Sequence, residues 1–366
     1  MNIGICFGGY CPLHRGHLDL IMKSKKLNDI TYVVVCGHNG EIRGASTGLP
    51  LIKRYRIIKN FLEDETLKVI YINDDDIGLD QSMSPENWKI WTHEVAKKIA
   101  IYAKPHISMI PITWYVAEPE YKEKLEKYCW FSSKVSLEDR TINPVSGTAC
   151  RNNPLKYWNI ITAPFRAYFS HNILISGTAS EGKTTLTRDI GKYYGLPYSY
   201  EKGRDNCSLK TDPELTVKDF MYNIYEQHKY NEELIASPQN PGIFISDTDN
   251  IVTLMYAYYY SQRKEFLLSE NDYHVLYAMT KAYRSTTKWD KIFLIEPKNK
   301  GIVDDGERYM PDSDYDIRCE FFDFLKKTYS EFGYEYEILN GTYYENYLSV
   351  RRYIDELYAK AESWIY

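Results

Sequence analysis

The chain has 366 residues, which is too long for one ordinary hydrophobic core, so two domains are expected. Its hydrophobic fraction of 44% and charged fraction of 26% are typical of a soluble globular protein. The net charge of −5 argues against nucleic-acid binding as a main role. It still permits anionic small substrates, because local backbone N–H groups and helix N-termini bind phosphates.

The cysteines and the apolar runs indicate a cytoplasmic protein. Seven cysteines are scattered with no C-x-x-C pair, so neither a zinc site nor a disulfide framework is predicted. Residues 1–7 lead at once into a Gly-rich turn, so no signal peptide is expected. No apolar run reaches the length of about 18 residues that a transmembrane helix needs.

Strands and helices alternate through the first half, which predicts a parallel sheet covered on both faces. The pattern is strand 2–7, helix 16–26, strand 31–36, helix 52–62, strand 67–72, helix Pro85–Tyr102 and strand 107–110. The alternation pauses at 152–170, a segment rich in Pro and aromatic residues that we interpret as a hinge. We therefore predict domains at 1–160 and 171–366.

The second half resumes the same alternation. Strands are predicted at 172–176, 196–200, 242–246, Lys291–Ile295 and 336–339, with helical stretches between them. The first of these strands ends in the motif G-x-x-x-x-G-K-[ST], and the helix Lys183–Tyr194 follows it. A strand, a Gly-rich loop and a helix in this order predict a P-loop rather than a chance match.

The P-loop motif predicts the residues that bind ATP. Its glycines let the backbone bend around the phosphates, Lys183 reaches the β- and γ-phosphates, and the Thr184 hydroxyl binds Mg²⁺. The predicted nucleotide-binding residues are Gly177, Ser180, Gly182, Thr184 and Thr185.

Acidic residues follow two other predicted strands of this domain. Asp247 ends strand 242–246 and is the expected second Mg²⁺ ligand, while Asp249 is left to face the acceptor, although such acids often only cap the next helix. Glu201, Arg204 and Asp205 follow strand 196–200. Glu201 or Asp249 is the candidate general base, and Arg204 and Asp205 are candidate substrate ligands. The alternative for this second group is an ordinary solvated loop.

A charged loop follows strand Lys291–Ile295. It carries Asp304-Asp305-Gly306-Glu307-Arg308, and a lid here would bring Arg308 to the transferring phosphoryl group. Arg318, on the next helix, is a second candidate for that contact.

The first strand ends in a turn with the motif H-x-G-H. His14 and His17, separated by a helix-initiating glycine, can both face one triphosphate, beside Gly8, Gly9 and Tyr10. The alternative is two structural histidines that cap a helix. A second element favours the catalytic interpretation: Ser146, Thr148 and Arg151 lie at another predicted helix start and suit the leaving pyrophosphate.

Together the two elements resemble the nucleotidyltransferase superfamily, with its G-x-[FY]-x-P-x-H-x-G-H and S-x-T-x-x-R motifs. With the P-loop, Glu201–Asp205, Asp247-Thr248-Asp249 and Asp305–Arg308 in this order, the chain resembles the bifunctional NadR-type proteins. The resemblance implies a Rossmann-like adenylyltransferase domain and a P-loop kinase domain. It implies that ATP and nicotinamide riboside give the mononucleotide, and that a second ATP converts the mononucleotide to NAD and pyrophosphate.

The resemblance also has departures. Lys202 replaces an aromatic residue of the family, Glu307 replaces a leucine, and Gly9 replaces a lysine near the phosphates. Met1 leads directly into the first strand, so the helix-turn-helix that some members place first is not expected. Trp91, ahead of Trp88, is the candidate for stacking on the nicotinamide ring, and core packing is the alternative for both.

The expected partners are small molecules: ATP, nicotinamide riboside, its mononucleotide and NAD. No nucleic acid and no membrane are expected, and the sequence leaves a homo-oligomer open. Two rival functions remain: a nucleotide sensor with an inactive site, and a nucleotidyltransferase fused to a nucleoside kinase of other base specificity.

Overall fold

The computed structural model describes residues 1–80, 84–102, 110–139, 144–203, 210–298 and 314–362. The chain divides into two units, Met1–Phe169 and Ser170–Tyr366. Each unit contains a five-stranded sheet in which all recorded strand pairs are parallel. The predicted α/β class with parallel sheets is therefore confirmed.

The sheet of the first unit has the strand order β3-β2-β1-β4-β5. Its strands are β1 (Ile3–Gly8), β2 (Ile30–Gly37), β3 (Leu67–Asn73), β4 (Ile112–Val116) and β5 (Lys134–Leu137). The helices are α1 (Arg15–Leu27), α2 (Ile42–Thr47), α3 (Leu51–Leu62), α4 (Pro85–Tyr102), α5 (Pro119–Tyr128), α6 (Gly147–Asn152) and α7 (Ala163–Arg166).

Alternate residues of the central strands pack into two different apolar clusters. In β2, Val33 and Val35 belong to one cluster, while Tyr32 and Val34 belong to the other. Successive side chains of a strand point to opposite faces, so both faces of this sheet are buried. This explains why the strands read as continuous apolar runs.

Two strands of this unit were not predicted. Of the strand expected at 107–110, residues 107–109 lie outside the described residues, and the described strand that follows is β4, after Pro111. Proline has no N–H to donate to a ladder, and here only its carbonyl takes part, accepting from the Ile3 N–H at 2.9 Å. Strand β5 was missed because it is a short edge strand with no buried residue and no apolar run.

The segment 152–170, interpreted as a hinge, packs within the first unit as far as Phe169. Trp158, Ile161, Phe165 and Phe169 are all buried in one of the unit's two clusters. Its aromatic residues therefore serve the core of the first unit, and the division of the chain falls just after Phe169.

The sheet of the second unit has the order β10-β9-β6-β8-β7. Its strands are β6 (His171–Gly177), β7 (Tyr198–Ser199), β8 (Ile243–Asp247), β9 (Lys291–Ile295) and β10 (Glu337–Leu339). The described helices are α8 (Lys183–Tyr194), α9 (Val217–Ala236), α10 (Asn250–Ser261), α11 (Glu270–Arg284), α12 (Tyr315–Glu331) and α13 (Tyr343–Glu362). Across the described ranges, no helix is both long and apolar enough to cross a membrane.

Candidate active sites

The turn between β1 and α1 brings the two predicted histidines together. His14 is the N-cap residue of α1, and its ring stacks on that of His17 with centroids 3.7 Å apart. Tyr10, with φ of 43°, packs its ring edgewise against His17 at 4.9 Å. The Tyr10 side chain is buried in the core, so it supports the histidine pair.

The second predicted element contacts this turn directly, although 140 residues separate the two in sequence. Ser146 caps α6 by accepting from the Ala149 N–H at 3.1 Å. Arg151 donates from Nη1 to the Cys11 carbonyl at 2.6 Å and from Nη2 to Thr148 Oγ1 at 2.9 Å. The structure therefore brings Ser146, Thr148 and Arg151 together with the H-x-G-H turn.

The segment after α6 also supports the turn. The Thr162 hydroxyl donates to the Leu13 carbonyl at 2.9 Å, and the Arg15 N–H donates to the Ile160 carbonyl at 2.9 Å. His14 and Ile161 form an isolated antiparallel bridge. Residues 160–162 therefore fix His14 at the start of α1.

A buried group of charges that the sequence analysis missed lies under the same turn. Arg54, fully buried, donates to the Gly9 carbonyl and pairs with Glu41, which also holds Arg43 through bonds of 2.7 and 2.8 Å. Burial raises the pKa of Glu41, but the bonds and charges of Arg43 and Arg54 outweigh it and hold that pKa below its ordinary value. No local pattern marks these residues, because they meet only in the folded chain.

Arg43 bears on one departure from the family pattern. A Cβ atom at Gly9 would lie 2.7 to 2.9 Å from the Arg43 guanidinium, which is closer than real contacts allow. Glycine at this position therefore leaves room for a cation from α2. The Arg43 guanidinium, paired with Glu41, therefore lies beside the position where the family pattern has a lysine.

The tryptophans of α4 belong to a buried aromatic cluster. Trp88 and Trp91 are 7% and 8% exposed, and both contact Phe7, the residue before Gly8, at 6.2 and 5.0 Å between centroids. Tyr121 completes the contact with Phe7 at 5.2 Å. Both tryptophans are thus largely packed in the core, the alternative weighed for them, and stacking of Trp91 on a ligand stays a prediction. Phe7 and Tyr121, both partly exposed, were missed as members of this cluster.

In the second unit the P-loop has the backbone shape that a phosphate requires. Ser180 and Gly182 have φ of 61° and 83°, and Gly177 has φ of 147° with no room for a Cβ beside the Ile295 carbonyl. Lys183 is buried and donates to the Thr178 carbonyl at 2.8 Å. Thr184 and Thr185, in the first turn of α8, have exposed side chains.

The two predicted Mg²⁺ ligands are adjacent. Thr184 Oγ1 donates to Asp247 Oδ2 at 2.5 Å. Burial raises the pKa of Asp247, the charge of Glu201 raises it further, and the charge of Lys183 lowers it. A buried carboxylate next to a hydroxyl fits Mg²⁺, which takes one or two carboxylates together with phosphates and water.

Glu201 is partly exposed and near enough to Asp247 to influence its pKa. The next residue, Lys202, donates its N–H to Gln227 Oε1 at 2.8 Å, which fixes the backbone there. Its ammonium lies 4.4 and 4.5 Å from the ring centroids of Tyr200 and Tyr230. Lys202, which replaces an aromatic residue of the family, thus makes cation–π contacts with two tyrosines.

The contacts of Asp249 are those of a helix cap, and its expected position facing an acceptor stays a prediction that they do not support. It is the N-cap of α10, accepting from the Ile251 N–H at 3.1 Å and from the Tyr329 hydroxyl at 2.8 Å. It is buried, and burial raises its pKa to about 6 against the lowering effect of these bonds. The structure therefore favours helix capping, the alternative weighed for this D-x-D.

The remaining predicted residues have different outcomes. Arg204, Asp205 and Arg308 lie outside the described residues. Arg318, the second candidate for the phosphoryl contact, is buried on α12 and paired with Glu181 of the P-loop.

Comparison with known proteins gives one family model for each half of the chain. Residues 5–153 match the family model described as Cytidylyltransferase-like, and residues 172–346 match the one described as AAA domain. The chain is similar to a crystal structure of NadR protein in complex with NR (32% identity, TM-score 0.80), which covers 93% of this chain and 90% of that one. It is also similar to NadR protein in complex with NAD and AMP-PNP (31% identity, TM-score 0.81), with coverage of 97% and 96%.

This chain belongs to the NadR family. The trifunctional NAD biosynthesis/regulator protein NadR of Salmonella typhimurium is 25% identical over 85% of this chain and 73% of its own length. The Escherichia coli protein of the same description gives the same identity and coverage. Membership in the NadR family confirms the predicted order of a nucleotidyltransferase domain followed by a P-loop domain.

The capping role of Asp249 gives a pH-dependent prediction. Its pKa is raised to about 6 in the folded state, so it stabilises the fold below the unfolded pKa near 4, and that contribution is lost as pH rises through 6. An asparagine side chain at this position caps equally well and does not titrate. Asp249→Asn should therefore gain stability relative to the parent between pH 4 and 7, on the order of 2 kcal/mol.

The measurement is urea unfolding of both proteins at several pH values. A difference in stability that does not change with pH would contradict the assignment, and so would loss of phosphoryl transfer in the folded variant.

Proposed function

We propose that this protein makes NAD by two ATP-dependent transfers. The second unit phosphorylates nicotinamide riboside, and the first unit joins the resulting mononucleotide to the AMP part of a second ATP. The observation that carries the proposal is that each unit has a phosphate-binding turn at the carboxyl end of its central strand, β1 or β6. The substrates follow from relatives solved with NR, NAD and AMP-PNP.

In the kinase reaction a riboside hydroxyl oxygen attacks the γ-phosphorus, and the bond to the β–γ bridging oxygen breaks. ADP leaves, and the hydroxyl proton passes to a carboxylate. Glu201 is that base, because it is partly exposed near Asp247, whereas the Asp249 carboxylate caps α10. The P-loop amides and Lys183 hold the phosphates.

Thr184 and Asp247 would hold Mg²⁺, which supplies positive charge to the β- and γ-phosphate oxygens when bound. Burial raises the pKa of Asp247 and so disfavours its ionised form. A bound Mg²⁺ would favour the ionised form and offset that effect. The described residues show no cluster of three metal-binding side chains, and Mg²⁺ in such sites completes its shell with phosphates and water.

In the adenylyl transfer the nucleophile is a phosphate oxygen of the mononucleotide, so no base is needed. It attacks the α-phosphorus, the bond to the α–β bridging oxygen breaks, and pyrophosphate leaves. His14, His17, Arg43 and Arg151 surround the turn with donors and positive charge, which stabilise the transition state and the leaving group.

The direct experiment gives purified protein ATP and Mg²⁺ with either riboside or mononucleotide, and identifies the products by mass spectrometry. The expected products are the mononucleotide with ADP, and NAD with pyrophosphate. CTP and other nucleosides are the controls for base specificity. ATP binding with no product in either reaction would favour a nucleotide sensor instead.

The two activities should be separable, because their residues lie on different units. Lys183→Ala removes the cation that meets the transferring phosphoryl group, so riboside phosphorylation should disappear while adenylylation continues. His17→Ala should do the reverse. Separate assays of each reaction, with circular dichroism as the folding control, measure this. Loss of both activities in a folded Lys183→Ala protein would contradict the two-site assignment.

Glu201→Gln tests the base. Removal of a general base typically costs about 10²- to 10⁴-fold in rate, so the kinase kcat should fall by at least about a hundredfold. The KM for ATP should change little, and adenylylation gives the internal control. A kcat that keeps the parent's pH dependence and stays within about threefold of the parent's value would assign the base to another group.

Trp91→Leu tests stacking on the nicotinamide ring, with Trp114→Leu as the matched control in the same aromatic cluster. Trp114 is fully buried and its centroid lies 5.9 Å from that of Trp91, so it cannot meet a ligand. Stacking is worth about 1–3 kcal/mol, so Trp91→Leu should raise the mononucleotide KM by about fivefold or more. Trp114→Leu should lower Tm alone. Equal KM effects in both variants would assign Trp91 to the core only.

A further inference from the structure

A buried ion pair joins the P-loop to helix α12. Glu181, the residue before Gly182, pairs with Arg318, and each side chain is only 1% exposed. The Lys298 N–H donates to Glu181 Oε1 at 3.3 Å, and Arg318 Nη2 donates to the Lys298 carbonyl at 3.1 Å. Three segments, from the P-loop, α12 and the chain leaving β9, therefore meet at one carboxylate.

The place of this pair in the loop matters for nucleotide binding. Glu181 lies between Ser180 and Gly182, both of which have positive φ. A serine in the left-handed region costs free energy and persists only where surrounding contacts hold it. The contacts at Glu181 therefore help to maintain the curve that turns the loop's N–H groups toward a phosphate.

The same helix also holds the start of the loop. Tyr329 lies eleven residues after Arg318 on α12, which is about three turns and therefore the same helix face. Its hydroxyl is 2.8 Å from Ser176 Oγ, one residue before Gly177, and 2.8 Å from Asp249 Oδ1. Helix α12 thus contacts the P-loop at its start, through Tyr329 and Ser176, and near its end, through Arg318 and Glu181.

The charge of Glu181 needs explanation in a loop that binds an anion. A carboxylate in the P-loop opposes a triphosphate by Coulomb repulsion, and a buried carboxylate without a cation is strongly unfavourable. Arg318 removes both problems at once. The Arg318 guanidinium is buried and donates to Glu181 and to the Lys298 carbonyl, so its donors already have acceptors within the protein.

We propose that Arg318 is a positioning residue of the kinase site. It neutralises Glu181 and keeps the P-loop in its nucleotide-binding shape, and it does not itself contact the transferring phosphoryl group. The inference rests on the proposed function only in that the P-loop binds ATP. It replaces the expectation, drawn from the sequence, that Arg318 acts on the phosphoryl group directly.

The test is a cycle of Arg318→Met, Glu181→Gln and the double variant, with the ATP dissociation constant measured by calorimetry. Arg318→Met leaves a buried carboxylate, so affinity should fall by about tenfold or more. Glu181→Gln alone should have a smaller effect, because the glutamine oxygen can still accept from Arg318 and from the Lys298 N–H. The double variant should regain ATP affinity to within about threefold of the parent, because the substituted glutamine is neutral and still accepts from the Lys298 N–H.

Lys327→Met is the matched control, since it removes a cation from the same helix whose partner, Glu331, is exposed. Its ATP affinity should equal that of the parent. In kinase assays, Arg318→Met should raise the KM for ATP while kcat at saturating ATP stays nearly constant, whereas loss of a direct phosphoryl contact lowers kcat.

Two outcomes would overturn the proposal. A double variant that binds ATP as weakly as Arg318→Met means that Arg318 contacts the nucleotide itself, and unchanged affinity in Arg318→Met means that it positions nothing. If Arg318→Met does not fold, Arg318→Lys takes its place in the cycle. The ATP dissociation constants of Arg318→Lys, Glu181→Gln and the double variant are then compared. ATP binding without riboside phosphorylation in the parent would contradict the proposed kinase function and leave this cycle valid.

Discussion

A turn that points its backbone N–H groups toward a phosphate points carbonyl groups into the protein, and those carbonyls need donors. The first unit supplies donors at alternate positions: Arg54 bonds the carbonyl of residue 9, Arg151 that of Cys11, and Thr162 that of Leu13. In the second unit Lys183 bonds the carbonyl of Thr178. Distant parts of each unit therefore stabilise the turns that we propose bind phosphate.

This constraint explains why the two sites are built from residues far apart in sequence. A short loop cannot satisfy its own inward-facing groups, so it depends on elements that the sheet brings to the same edge. Parallel strands place their carboxyl ends together, and helices that begin there deliver side chains such as Arg151 from α6. Each turn is also stabilised by a buried ion pair. Glu41 pairs with Arg54 in the first unit, and Glu181 pairs with Arg318 in the second.

The same reasoning separates what the sequence could predict from what it could not. Most of the strands, the P-loop and the H-x-G-H turn were predictable, because apolar runs and glycines at fixed spacing report local geometry. Helices α4 and α8 have the predicted bounds. The Glu41 group, the edge strand β5 and the pairing of Arg318 were not, since each depends on contacts between distant segments. Asp249 shows the limit most clearly: capping and catalysis place the same acid after a strand, and only its bonds to Ile251 and Tyr329 distinguish them.

The electrostatics of the two sites differ in the way that the two proposed nucleophiles require. A phosphate nucleophile is already charged, and the turn of the first unit is surrounded by cations while the buried acid beneath it, Glu41, is neutralised and has a lowered pKa. A hydroxyl nucleophile must lose a proton, and the second unit places Glu201 near Asp247, whose pKa is raised. The charge of Glu201 opposes ionisation of Asp247, which is unfavourable for stability alone. In the proposed kinase reaction Asp247 serves the metal ion and Glu201 accepts the proton, so that reaction would give both acids a function.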